Sequence, residues 1–209
     1  MKHAFKEIIT TEAELRTILG TPSEVVKNKT ITVIDKYCRK FIEHSPFLTI
    51  ASTNGKGETD VSPKGDPAGF VKILDEKTLA IPERLGNKRA DTFVNILHNP
   101  SIGLLFFIPG IKETLRVNGK AQIVTDLAIR EQLTVKNRLP QFVLIVHVEE
   151  AFMHCSKCMV RSKLWTDIDP DIRQKVPTLA EIIIDHAKLE APVDQVEMYL
   201  KESVKNHLY

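Results

Sequence analysis

Between Thr114 and Val124 the side chains alternate without a break, with Leu115, Val117, Gly119, Ala121 and Ile123 on one face and Arg116, Asn118, Lys120 and Gln122 on the other. A period of two over this length marks a strand with one face on a core. Residues 141–149 repeat the pattern through Phe142, Leu144, Val146 and Val148. Residues 47–53 are apolar and β-branched and run into Asn54-Gly55-Lys56-Gly57, a turn tolerant of positive φ, so residues 59–64 return as the second arm of a hairpin. Pro63 has no backbone donor, which places that arm at a sheet edge or ends it there. Residues 70–74 and 78–81 read as two more strands, and 101–108 as another, stopped by Pro109-Gly110. Seven strands with hairpin-like connections exclude a βαβ array and specify an antiparallel sheet or barrel.

Helices flank these strands. Ile34, Tyr37, Cys38, Phe41 and Ile42 share one helical face that ends near residues 44–46, and a shorter piece covers 12–19 before the breaks at Gly20 and Pro22. Residues 88–97 present Ala90, Phe93, Val94 and Leu97 on one face, and 128–135 form a short helical connector. Leu179, Ile182, Ile183 and His186 recur at helical spacing, and Pro192 precedes a further amphipathic segment over 193–204. No linker or repeat divides the 209 residues. One domain is expected over 1–209, with a helical start at 1–46, a barrel at 47–153 and a helical C-terminal part at 154–209.

Composition narrows the function classes. Hydrophobic residues at 43% and charged residues at 27% exclude a disordered or fibrous chain. With 29 basic against 27 acidic residues, the bulk charge demands neither nucleic acid nor an anionic membrane as partner. No apolar run is long enough to span a bilayer, and residues 1–10, carrying Lys2, Lys6 and Glu7, lack the pattern of a signal peptide, so a cytoplasmic protein is expected. The three cysteines are then expected to remain thiols. His154-Cys155-Ser156-Lys157-Cys158 contains a C-x-x-C, but no second Cys/His pair stands at zinc-finger spacing and no βαβ context supports a redox motif, so no metal is expected.

Three other segments carry possible chemistry. Pro82-Glu83-Arg84-Leu85-Gly86-Asn87-Lys88-Arg89 leaves a strand, turns at Gly86 and enters a helix with Asn87 as its expected N-cap. Helix amides and three cations at one turn suit an anion, phosphate above all; a solvated basic face is the competing reading. In Asp60-Val61-Ser62-Pro63-Lys64-Gly65-Asp66, small polar residues at a strand end allow a flat ligand to lie on the backbone with Lys64 meeting its negative group, or simply make a polar turn. Arg161-Ser162-Lys163-Leu164-Trp165 holds the only tryptophan, which serves either as core filler or as a stacking surface for an aromatic ligand. Dinucleotide-binding G-x-G-x-x-G, P-loop and H-E-x-x-H motifs do not occur.

The stretches FLTIASTNGKGETDVSPKGDPAGF, IPERLGNKRADTFVNIL, ETLRVNGKA and HCSKCMVRSKLW, in this order over about residues 41–165, resemble the pyridoxamine 5′-phosphate oxidase-like family of FMN-binding split barrels, in particular its FMN-dependent members of unassigned substrate. The resemblance implies a mainly β, Greek-key split barrel with N- and C-terminal helices, and a homodimer with flavin at the subunit interface. It carries the flavin phosphate onto Arg84, Asn87, Lys88 and Arg89, and the ring and ribityl chain onto Val61, Ser62, Pro63 and Lys64. It further implies cofactor contacts from Thr114 and Arg116, and from Arg161, Ser162 and Trp165 of the other subunit. The Arg-rich ending of true pyridoxamine-phosphate oxidases is not found after Trp165, so oxidation of a B6 vitamer is not implied. The expectation is an FMN-dependent oxidoreductase acting on a small molecule, without nucleic acid or membrane as partner. Its rivals are a reductase of the same fold using F420, a flavin-binding module without turnover, and a nucleic-acid binder resting on the basic turn alone.

Overall fold

A computed structural model describes residues 5–166 and 169–209. Its centre is one seven-stranded sheet: β1 (Phe47–Thr53), β2 (Thr59–Gly65), β3 (Lys72–Asp75), β4 (Thr78–Pro82), β5 (Ser101–Phe107), β6 (Thr114–Val124) and β7 (Val143–His154). The order is β2-β1-β5-β6-β7-β4-β3, every neighbouring pair antiparallel. The hairpins β1–β2 and β3–β4 flank the β5–β6–β7 meander, and the non-sequential neighbours β1–β5 and β4–β7 give the sheet its Greek-key character. Because β2 and β3 are both free edges, the barrel is split rather than closed. Pro63 lies on the β2 edge, where its missing donor costs no ladder hydrogen bond. The β1–β2 turn is held by Asn54, whose Oδ1 accepts from the Lys56 and Glu58 amides at 2.9 and 3.1 Å.

The main core is built from inward residues of the strands, among them Leu48, Ile50, Leu104, Phe106, Leu115 and Val117, all essentially inaccessible. Strand β7 runs five residues beyond the expected end at 149. The register explains why: Asn118 faces Glu150 while Gly119 faces Val148, so Glu149 is an extra residue in a bulge. Before the bulge Val146 and Val148 are buried; after it Ala151 is, and the alternation has changed phase. Gly119 is required there, since a Cβ would collide with the His147 carbonyl oxygen. At its start β7 is covered on both faces, because Val143 and Ile145 join Ala80 and Leu133 in a second small core.

Helices precede, interrupt and follow the sheet. Helix α3 (Lys36–His44), preceded by α1 (Glu12–Leu19) and α2 (Glu24–Asn28), is capped by Asp35, whose Oδ1 accepts from the Tyr37 and Cys38 amides. It buries Cys38 and Ile42, whereas Tyr37, expected on the same face, is exposed. Helix α4 spans Asp91–His98 rather than 88–97, and its N-cap is Ala90, not Asn87. Its buried face is Thr92, Phe93, Asn95 and Ile96, leaving Val94 and Leu97 exposed. The expected face was rotated because two polar residues are buried with partners: Thr92 Oγ1 donates to Asp60 and Asn95 Nδ2 to Ser52, at 2.9 and 3.0 Å. The connector α5 is Leu127–Gln132, and α6 is Lys157–Ser162. After α7 (Ile172–Lys175), α8 (Leu179–Ala187) and α9 (Val193–Asn206) pack on one another, and the chain leaves α9 to bring Tyr209 back to the barrel. Among the described residues no helix is long and apolar enough to cross a membrane.

Candidate functional site

A cavity of about 890 Å³ opens between β2, the segment from Pro82 to the start of α4, residues 138–142 and Tyr209. Its volume lies in the range of small-molecule and cofactor sites, ~300–1,000 Å³. Strand β2 supplies one wall, with Asp60, Ser62 and Lys64 half-buried and Val61 and Pro63 alternating outward. Phe93 and Phe142 meet edge to face at 4.7 Å between centroids, and the Lys64 ammonium lies 5.0 Å from the Phe93 ring. Together they offer an aromatic surface beside a polar strand end.

The cations of the expected anion turn separate into different duties. Arg84 reaches across to β2: its Nε donates to Asp66 Oδ2 at 2.6 Å and its Nη1 to the Leu133 carbonyl at 3.0 Å. The Asp66 side chain is 2% exposed, and the Tyr209 phenol donates to its other oxygen at 2.6 Å. That bond holds the Tyr209 proton above the ordinary phenol range. In parallel, Lys64 stands 4.0 Å from Glu83, whose carboxyl is pushed up by burial, with Lys64 opposing. Two ion pairs therefore tie the free edge β2 to the chain leaving β4. Arg89 pairs with Asp91 at 2.8 Å, with both side chains largely in solvent. Among the described residues of this turn, Lys88 alone has no carboxylate partner.

The backbone of the turn has its own polarity. Lys88 and Ala90 are left-handed, at φ 63° and 59°, while Asn87 Oδ1 accepts from the Arg89 amide at 3.0 Å, so Asn87 stabilises the turn instead of capping the helix. Ala90 lacks a capping side chain. A left-handed residue directly before a right-handed helix start gathers successive N–H groups into an anion-binding concavity. Lys88 and this uncapped helix start line the same cavity, as the sequence placed them, but the helix begins at Asp91 and not at Asn87.

Of the expected site residues, Val61, Ser62, Pro63, Lys64, Arg84, Asn87, Lys88 and Arg89 all line this cavity. Thr114, Arg116, Arg161, Ser162 and Trp165 do not; Thr114 and Arg116 lie opposite the far end of β7, and Arg161, Ser162 and Trp165 follow it in and after α6. There Thr114 is paired with His154 across the sheet, and Arg116 donates to Glu150 at 2.9 Å with its guanidinium 4.0 Å from the Phe152 ring centroid. Arg116 Nε is buried and has no hydrogen-bond partner. Burial, then Arg116 and Lys29, lower the His154 pKa and favour the neutral ring. Trp165 Nε1 donates to the Ile111 carbonyl at 2.9 Å, and Ser162 Oγ to the Met159 carbonyl at 3.2 Å. Nearby, Cys155 and Cys158 are exposed free thiols, and no group of three or more metal-ligating side chains occurs among the described residues. Asp66, Arg138 and Tyr209 escaped the sequence reading. Asp66 stood at the edge of a quoted motif, whereas Arg138 and Tyr209 have no local signal and reach the cavity only through the tertiary fold.

A family model described as pyridoxamine 5′-phosphate oxidase matches residues 34–155. No curated protein matches the chain. Among solved structures, HupZ of Group A Streptococcus is 26% identical, with 57% of this chain and 93% of that one covered and a TM-score of 0.46. A Lactobacillus delbrueckii protein described as a candidate pyridoxamine 5′-phosphate oxidase is 20% identical over 58% and 95% of the two chains, with a TM-score of 0.46. An FMN-binding protein from Syntrophomonas wolfei is 10% identical over 56% and 88%, with a TM-score of 0.43.

Proposed function

The chain belongs to the pyridoxamine 5′-phosphate oxidase family, and from that premise we propose that it is an FMN-binding oxidoreductase acting on a small molecule. The observation that carries this reading is one cavity joining a cationic turn and an uncapped helix start to a flat strand wall with an aromatic surface. FMN needs both ends: a phosphate and a large planar ring. Lys88, the remaining donors of Arg84, Arg89 and the uncapped amides of α4 would hold the phosphate. Val61, Ser62, Pro63 and Lys64 would run along the ribityl chain and ring, with Phe93 and Phe142 keeping water from one side. When bound, the flavin supplies hydride or single-electron transfer, and the protein supplies orientation and electrostatics.

Thr114, Arg116, Arg161, Ser162 and Trp165 lie off this cavity, which fits a homodimer in which one subunit contributes the phosphate turn and β2 and the other the far end of β7 with α6. The unpartnered Arg116 Nε supports a ligand or partner group at that end. The test is the visible spectrum of the purified protein, alone and titrated with FMN, followed by mass spectrometry of any released ligand. A flavin spectrum and turnover with a nicotinamide donor are expected. No FMN uptake at micromolar concentration would refute the reading, F420 in the released ligand would replace the cofactor, and FMN uptake without turnover would reduce the protein to a flavin carrier.

A further inference from the structure

Cys155 and Cys158 are the two exposed thiols of a chain whose third, Cys38, is buried in the core. Neither lines the cavity read as the flavin site. A C-x-x-C carries redox chemistry when one turn of chain holds both sulfurs within bonding reach and one of them is readily ionised. A strand running straight into a helix meets the first condition without a βαβ unit. Strand β7 ends at His154 and α6 begins at Lys157, with Ser156 right-handed between them at φ −70° and ψ −7°. Such a turn brings the Cα atoms of residues 155 and 158 within about 7 Å, and a disulfide spans ~4.4–6.8 Å.

The surroundings of Cys155 meet the second condition. The Lys157 amide donates to its sulfur, and the Lys157 and Lys29 ammoniums add positive charge, so the thiol is held below its ordinary range. Lys29 is fixed there by donating to the Met153 carbonyl at 3.1 Å and by lying 4.9 Å from the Phe152 ring centroid. The amide contact folds the Cys155 sulfur over the turn that Cys158 closes. Cys158 itself is carried on α6, which buried Met159 anchors to the fold. Arg161, three residues on, shares the helix face of Cys158, so the cations around the pair favour an anionic reactant.

We propose that Cys155 and Cys158 form a thiol–disulfide exchange site for a small anionic disulfide, with Cys155 attacking and Cys158 resolving. In the first step the Cys155 thiolate bonds one sulfur of the small disulfide, whose S–S bond breaks and releases one thiolate. In the second, the Cys158 thiol gives up its proton and its sulfur attacks that of Cys155, expelling the second small thiolate. The protein loses two electrons, the small disulfide gains them, and the protons of the two protein thiols end on the two small thiols. The site stands whether or not the larger cavity takes FMN.

The test exposes the reduced protein to oxidised glutathione at pH 7 and follows intact mass and tryptic peptides. Trypsin cuts after Lys157, so an internal disulfide appears as two linked peptides. The wild type is expected to lose two hydrogens, to give the Cys155–Cys158 linkage and to return to the dithiol with dithiothreitol. Cys158→Ser is expected to stop with one glutathione on Cys155. Cys155→Ser is expected to take up glutathione about threefold more slowly or slower still, because the amide and ammonium contacts belong to Cys155. If a variant misfolds by circular dichroism, the wild-type linkage alone decides. A wild type that stays reduced, that stops with glutathione on each thiol or that links only between chains overturns the proposal. Equal rates for two folded variants refute Cys155 as the attacking thiol, and the proposal with it.

Discussion

Arg84 is given two duties, holding Asp66 and meeting a phosphate, and they separate by mutation. Its pair with Asp66 is short, at 2.6 Å, and desolvated, the side chains being 16% and 2% exposed. Removing one partner of such a pair costs about 3–5 kcal/mol, because the other charge stays buried. Arg84→Ala should therefore lower folding stability by about that amount, measured by urea denaturation, with Asp66 retaining only the Tyr209 hydroxyl. Adding Asp66→Asn removes the orphaned charge and should restore most of the stability, but not phosphate affinity. Lys88, with no ion pair to break, isolates the other duty. A charge-assisted contact is worth about 1.5–3 kcal/mol, so Lys88→Ala should weaken FMN by roughly 10- to 150-fold. Riboflavin, lacking the phosphate, should bind this variant as it binds the wild type, both followed by flavin fluorescence. Equal losses of FMN and riboflavin would remove the phosphate from this turn. A double variant Arg84→Ala/Asp66→Asn no more stable than Arg84→Ala would refute the buried-charge argument.

Four further outcomes follow from the structure. Burial pushes the Cys38 thiol up to about 12, while the Lys157 amide lowers that of exposed Cys155, so iodoacetamide should label Cys155 readily and Cys38 only on unfolding, by peptide mass spectrometry. Because folded Cys38 keeps a proton that the unfolded thiol releases near 9.0, stability should fall as pH rises from about 9 to about 12, and Cys38→Ala should flatten that slope in pH-dependent urea curves. Gly119→Ala drives a methyl group into the His147 carbonyl within the bulge and should cost ~4 kcal/mol or prevent folding, read by thermal melting; a mild effect would mean that the bulge yields. Arg116→Ala should weaken FMN in a protein that sediments as a dimer, although Arg116 lies off the cavity of its own chain, and unchanged affinity would remove that end of β7 from the site.

The strands were legible where one rule of alternation held from end to end. Residues 114–124 obey it through β6, and the hairpin at Asn54 announces itself by its turn chemistry. The rule failed at Glu149, since one extra residue reverses which side chains face the core, and nothing within 149–154 reveals the partner strand that makes the bulge. Helix α4 misled for a related reason. Its apolar spacing pointed to Val94 and Leu97, but the fold buries Thr92 and Asn95, whose partners Asp60 and Ser52 lie more than thirty residues away. Polar burial of that kind is a tertiary fact.

The basic turn shows the same limit acting on function. Arg84, Lys88 and Arg89 look equivalent along the chain, yet only Lys88 is uncommitted, because the fold sets Asp66 against Arg84 and Asp91 against Arg89. Local positive charge is therefore smaller and more directional than the count of cations implies. A turn with one free ammonium, a partly engaged guanidinium and helix amides suits a single phosphate; it lacks the extended row of free cations that would track a polyanion.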